Sequence, residues 1–468
     1  MIKQLILLCC IAFVFLSAQQ APPRTTTITF KLEKGSALYI SYPLSLVQYK
    51  ELLLEAVPGD TVITITVNSA IPFNIININK THSPYLFFPG YHYTASIQKN
   101  ESNLVFQCTD EEKAFECNAL NNVEKNTSSF STMLDKTLTA YTQTGQYSHE
   151  LDTYLINQRN QRLEKLASLR QVQHLSDEGY RLLTAYIQYE FISRRLIPMY
   201  YPGFDPSALP TWYIDSIYQY KQSFNDPSLL ALSSFQRALV YNSQFTGYDD
   251  TQKKSTLPKQ FSAARRYTSS QQIADFVLYQ TMNSYRNKAD KRYPLYIDSF
   301  LQQCPDTLYR HIITANYKFL ASEKTASTSQ QLFTTQQKII GLDSVIKGQQ
   351  KIVYIDCWAS WCAPCKRELA YSAALQQEFK GTGVAFLFLS LDSDAVAWSR
   401  AMSDYSFMTA LNSFLITNNY QSPFARKYRI QGIPRYLIFG SDGRLIDENA
   451  PRPSDPKLKE LLRKLAKS

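Results

Sequence analysis

The nine-residue run Trp358-Ala-Ser-Trp361-Cys362-Ala-Pro364-Cys365-Lys366 constrains the fold of this chain more than any other stretch. Two cysteines with two residues between them close a small disulfide ring, and Pro364 stiffens it. The apolar run Ile352-Val-Tyr-Ile355 leads in. A helical pattern leads out, with Tyr371, Ala374, Leu375 and Phe379 at i, i+3, i+4 and i+8 before Gly381 ends it. The pair therefore falls at the step from a buried strand into a helix N-terminus. There the unpaired backbone N–H groups and the helix dipole stabilise a thiolate and lower its pKa. A redox dithiol requires that environment.

Around this run the chain is long, 468 residues, which is too many for one ordinary core and implies two to four domains. It is 44% hydrophobic and 19% charged, a globular composition. Tyr (32) and Phe (26) far outnumber Gly (14), so many apolar positions are aromatic. The net charge of +10 is spread out. Its densest cluster, at 457–467, lies on a helix pattern whose Leu458, Leu461, Leu462 and Leu465 form an apolar face, so the lysines read as the solvated face. No glycine-rich phosphate loop, finger spacing or basic arm appears, which argues against a nucleic-acid partner.

Residues 1–18 read as a signal peptide. Met1-Ile2-Lys3 is a short basic start, Leu5 to Leu16 is an uncharged apolar core, and Ser17-Ala18 offers small residues for cleavage. The core is short for a membrane span. Leu16 stands where a smaller residue is usual, so membrane association rests on an uncleaved signal alone. Leu8 before Cys9, and Cys9 before Cys10, replace the Gly or Ala of a lipoprotein signal. Export would place the mature chain where disulfides persist. Of its remaining cysteines, Cys108 and Cys117 are read as a possible structural disulfide across a long hairpin, and Cys304 as a buried small hydrophobe.

In chain order, residues 21–125 read as an N-terminal β-rich, sandwich-like antiparallel domain. Ile63, Ile65 and Val67 alternate with threonines, and further strands are expected at 38–40, 73–75 and 104–106. Residues 126–322 read as an all-helical middle domain of six to eight helices, without a clean 34-residue repeat. Its stripe of Leu151, Leu155, Arg162, Leu166 and Leu169 marks one long helix. The small polar stretch 323–332 reads as a linker. In 333–468, strands are expected at 352–357, 384–391, 436–439 and 444–447 and helices after Cys362, at 395–405 and after Pro456, which is an α/β pattern with a central mixed sheet flanked by helices.

Trp-Cys-Ala-Pro-Cys-Lys, with Asp356 six residues before Cys362 and Gly432-Ile433-Pro434 about seventy residues on, resembles the thioredoxin superfamily, and within it the TlpA/ResA-like branch of envelope-facing bacterial thiol–disulfide oxidoreductases. The resemblance covers roughly 333–468. It implies a thioredoxin-like fold, a buried acid at Asp356 and a cis-proline loop at Pro434, where the backbone of Ile433 pairs with an extended substrate. It also implies protein thiol or disulfide substrates, a membrane or periplasmic electron donor, a periplasmic or cell-envelope location, and reduction as the direction.

By position at the helix start Cys362 is the nucleophile and Cys365 the resolving thiol, and the two form the redox-active disulfide. Burial of Asp356 would raise its pKa and fit it to take the proton of Cys365. Trp361 and Trp358 shape the apolar surface around Cys362, with plain packing an equal reading for Trp358, and Cys357 reads as a core filler. A structural zinc site lacks ligands, since no second CxxC exists and all five histidines lie outside this domain. The peroxiredoxin pattern fails at Ile355 and Ala359, and Lys366 replaces the His of a haem-attachment motif. The dithiol itself is then the only cofactor expected. The alternative from another class is an envelope protein-binding or scaffold module whose thioredoxin-like domain is accessory.

Overall fold

The computed structural model describes residues 22–467 except 44, 47–48, 56–58, 78–83, 98–103, 125–138, 140–146, 173–174, 198–208, 250–253, 267, 288–291 and 324–329. The signal expected at 1–18 and most of the expected linker lie outside the described residues. Among the described residues, no helix is long and apolar enough to cross a membrane.

The chain divides into two compact units, Met1–Ile217 with Asp226–Tyr241 and Tyr218–Asn225 with Asn242–Ser468. The first begins with strands β1 (Arg24–Leu32), β2 (Ala37–Pro43), β3 (Tyr49–Glu55), β4 (Thr61–Ser69), β5 (Phe73–Asn77), β6 (Pro84–Phe87), β7 (His92–Ile97) and β8 (Phe106–Cys108). They form two four-stranded sheets, ordered β4-β1-β7-β8 and β3-β2-β5-β6. Alternation buries Ile28, Phe30 and Leu32 of β1 in one cluster with Ile40, Phe73, Phe87, Tyr93 and Phe106 from both sheets. Phe87 packs edge-on against Tyr93 and Phe106, at 4.8 and 5.0 Å between centroids. The expected all-antiparallel pairing fails at one place, because β1 and β7 are parallel. Between them the chain visits the second sheet twice and returns in the direction of β1.

Helix α1 (Glu111–Glu124) corrects a second expectation, since this stretch was read as part of a β hairpin. The Asp110 carboxylate accepts from Lys113 N at 3.0 Å and caps it, while Glu111 and Glu112 favour its first turn. Cys108 and Cys117, read as a possible disulfide, are both free thiols. Cys117 sits on α1, not on a facing strand, and its side chain joins the core cluster. Burial there holds its thiol well above the ordinary range.

Helices α2 (His149–Val172), α3 (Asp177–Leu196), α4 (Thr211–Tyr218) and α5 (Ser233–Thr246) follow. A short hairpin of β9 (Tyr248–Asp249) and β10 (Lys254–Ser255) leads to α6 (Leu257–Ala263), α7 (Gln271–Asn287), α8 (Tyr293–Gln303) and α9 (Thr307–Glu323). These helices are distributed over the two units. In the first unit, buried Glu116 of α1 accepts from Ser176 N at 2.8 Å at the start of α3, and Gln236 of α5 donates to Leu46 O at 2.9 Å. In the second, Phe319 of α9 packs edge-on with Phe333 at 5.4 Å, and Arg286 of α7 donates to Ser393 O at 3.0 Å. Helices α6 and α8 each carry a proline near their start, Pro258 and Pro294. Each lies in a first turn, where the missing N–H costs nothing.

The C-terminal part of the second unit contains β11 (Gln331–Phe333), β12 (Ile339–Gly341), α10 (Leu342–Gly348), β13 (Ile352–Trp358), α11 (Ala363–Glu378), β14 (Val384–Ser390), α12 (Ala395–Ser403), β15 (Ser413–Ile416), α13 (Pro423–Lys427), β16 (Arg435–Phe439), β17 (Leu445–Asp447) and α14 (Pro456–Leu465). Its sheet has seven strands in the order β12-β11-β15-β14-β13-β16-β17. Central β13 runs parallel to β14 and antiparallel to β16. Both faces are covered, so β13 is buried along its whole length and reads as an apolar run over 352–355 that leads into Asp356. Val353, Ile355 and Cys357 face one cluster, while Tyr354 and Trp358 join the other with α11, α12 and α14.

Candidate active site

At the end of β13 the chain makes a tight turn in which Cys362 N donates to Ala359 O at 3.0 Å. Asp392, just past β14, is buried and pins that turn. Its carboxylate accepts from Ser360 N at 2.8 Å, from Ser360 Oγ at 2.5 Å and from Ser390 Oγ at 2.6 Å. Leu391 N also donates to Trp358 O at 2.8 Å, so the two parallel strands are tied at their C-terminal ends. Open parallel sheets place their sites at such ends.

Cys362 is the N-cap of α11, in extended conformation, and its sulfur accepts from Cys365 N at 3.2 Å. Pro364 occupies the first turn, and no acidic residue lies in that turn to oppose the helix dipole. Cys362 and Cys365 are joined as a disulfide with their Cα atoms 5.3 Å apart. At 3% and 1% exposed, Cys362 and Cys365 differ little in accessibility. Trp361, beside it, is 53% exposed and presents the apolar surface. Trp358 is instead fully buried, with its ring edge-on to Tyr405 at 6.3 Å.

Asp356 lies on β13, 1% exposed, on the same face of the sheet as α11. Its Oδ2 accepts from Ser372 Oγ of α11 at 3.3 Å, and its Oδ1 has no hydrogen-bond partner. Burial pushes this carboxyl up to about 8, the Ser372 hydrogen bond works against the rise, and the charge of Glu368 adds to it. Glu368 was not singled out from the sequence, where one glutamate on a helix reads as solvated. In the fold it is buried on α11 three residues after Cys365, accepting from Ser454 N and Ser454 Oγ at 3.0 Å each. Only its spacing from Cys365 could have drawn attention to it.

The Ile433–Pro434 peptide bond is cis. Ile433 is half-buried and packs against the clusters on both faces of the sheet, at the rim where β16 begins. Cys357 is fully buried on the face opposite Asp356, and burial raises its thiol far above the ordinary range. It is therefore an inert packing group. Among the described residues, no cluster of three or more His, Cys, Asp or Glu side chains is arranged to hold a metal ion.

A protein-family model described as Redoxin matches residues 321–463. The chain is similar to the thiol-disulfide oxidoreductase ResA of Bacillus thuringiensis subsp. konkukian, 24% identical over 115 residues that make up 25% of this chain and 64% of ResA. It is also similar to Thioredoxin 1 of Chlorobaculum tepidum, 45% identical over 98 residues that make up 21% of this chain and 69% of that protein. Among solved structures, a thiol-disulfide oxidoreductase from Bacteroides fragilis aligns at 24% identity and a TM-score of 0.25, covering 29% of this chain and 100% of that one. The match to ResA thus spans 64% of that relative's length. Through its C-terminal domain the chain belongs to the thioredoxin superfamily, as a ResA-like member.

Proposed function

We propose that this chain is an exported thiol–disulfide oxidoreductase that reduces protein disulfides in the bacterial periplasm or cell envelope. The single observation that carries this reading is the Cys362–Cys365 pair at a helix N-cap, with the buried carboxyl of Asp356 behind it. In the reduced enzyme the Cys362 thiolate attacks one sulfur of a substrate disulfide. The substrate S–S bond breaks, one substrate thiolate leaves and takes up a proton, and a mixed disulfide joins Cys362 to the substrate. Cys365 then gives its proton to Asp356 in its ionised, carboxylate form and attacks Cys362 Sγ. That closes the Cys362–Cys365 bond and expels the second substrate thiolate, so two electrons pass from the dithiol to the substrate. Ile433, Pro434 and Trp361 would receive the substrate chain at the rim. A thiol-bearing donor in the periplasm or membrane would restore the dithiol, and no further cofactor is needed.

The domain limits 21–125, 126–322 and 333–468 remain part of this proposal, with 1–18 as the export signal. The experiment supplies the full chain with a disulfide-bonded protein and excess thiol donor, and follows release of substrate thiols. Turnover well above the donor's own rate is expected. No acceleration would contradict the reading.

A further inference from the structure

Asp356 and Tyr436 are direct partners across β13 and β16, so their side chains share the face covered by α11. Tyr436 is 3% exposed, and its ring stacks on Tyr354 at 5.7 Å. The Tyr354 hydroxyl is committed, donating to Pro451 O at 2.8 Å. The Tyr436 hydroxyl has no hydrogen-bond partner, and neither has Asp356 Oδ1. Leaving two such groups buried and unpaired is costly, because each has given up its hydrogen bonds to water. One is a donor and the other an acceptor, on opposed residues of neighbouring strands.

We infer that Tyr436 is a positioning residue for the thiol–disulfide exchange, its hydroxyl donating to Asp356 Oδ1 when the carboxylate is charged. The inference rests on the proposed role of Asp356 as the acceptor of the Cys365 proton. Glu368 from α11, Tyr354 and Cys357 on its own strand and Tyr436 from β16 interact with the charge of Asp356, and Arg452 before α14 pairs with Glu368. Of these, Tyr436 alone carries a hydroxyl donor that has no partner among the described residues. Trp358 Nε1 and Trp398 Nε1 are further unpaired donors in the cluster on this face, and the Trp358 ring lies against Tyr405. A donated hydrogen bond favours the charged carboxylate. Removing it therefore raises the pH at which Asp356 can take a proton.

The test is the resolution step read against pH. Full-length enzyme carrying glutathione on Cys362 is prepared, and glutathione release is followed by stopped flow. The wild-type rate should rise with pH to a plateau with a midpoint near 8. Tyr436→Phe should move the midpoint up by about one unit, making resolution about tenfold slower at pH 7 with the plateau kept. Infrared titration of the Asp356 carboxyl in the oxidised chain reads the same displacement without turnover. If Asp356→Asn abolishes the rise while Tyr436→Phe follows the wild type, or if Trp358→Phe alone displaces the midpoint, the role of Tyr436 is overturned and that of Asp356 stands. If Asp356→Asn leaves the profile unchanged, the acceptor assignment falls, and the inference with it.

Discussion

Replacing Cys365 with serine is expected to give an enzyme that reacts once and stays covalently attached to its substrate. The Cys362 thiolate, stabilised at the N-cap by Cys365 N, needs only backbone to keep its charge, and the serine retains that N–H. Attack on a substrate disulfide proceeds, but a serine hydroxyl cannot displace sulfur from the mixed disulfide. Non-reducing gels of Cys365→Ser with a disulfide-bonded substrate should therefore accumulate a higher band that thiol donor clears. Cys362→Ser should form no such band, and its turnover should fall by roughly a thousandfold or more. A band that forms equally well with Cys362→Ser would assign the attacking sulfur to Cys365 and reverse the two roles.

Asp356→Asn should stabilise the oxidised protein increasingly as pH rises from about 4 to about 8. The carboxyl goes from 3.8 unfolded to about 8 in the fold, so between these values the folded state holds a proton that the unfolded state has lost. The stability that Asp356 permits is complete below pH 4 and falls as pH rises through about 8. Some four units at about 1.4 kcal/mol each give a loss on the order of 5 kcal/mol. Asparagine does not titrate and can keep the Ser372 contact. Urea midpoints of the two proteins should nearly coincide at pH 4 and diverge by several kcal/mol at pH 8.5, with the variant the more stable. A difference that does not change with pH would show that Asp356 ionises freely in the fold. The same substitution should slow resolution of mixed disulfides, which is the trade between stability and function expected of a buried acid.

The redox run and the strand that carries it were legible because both follow from short-range rules. A strand covered on both faces must be apolar throughout, as at 352–355 and 386–389, and a capped helix start needs only local residues. Position-specific contacts were less legible. Asp392 reads as one of several loop acids until the fold brings Ser360 and Ser390 to it. Glu368 needs Ser454, 86 residues away, to be held. Tyr436 looks like one more aromatic in an apolar strand, and only the register with Asp356 gives its hydroxyl a meaning. Cys108 and Cys117 misled because spacing suggests a hairpin. Asp110-Glu111-Glu112, a helix start in the same stretch, decides the local structure instead. The parallel pairing of β1 with β7 depends on chain crossings that no local pattern records.

The central claim is that Cys362 and Cys365 cycle as a reducing dithiol, and the equilibrium potential of that pair tests it most directly. The full-length protein would be equilibrated with glutathione or dithiothreitol buffers and the thiols counted by alkylation. Reference potentials for such dithiols run from about −270 mV for thioredoxin to about −120 mV for a strong oxidant. The account predicts a value at or below about −220 mV, low enough to drive reduction of envelope disulfides when fed by a donor. A value near the oxidising end, or a pair that does not cycle, would contradict it.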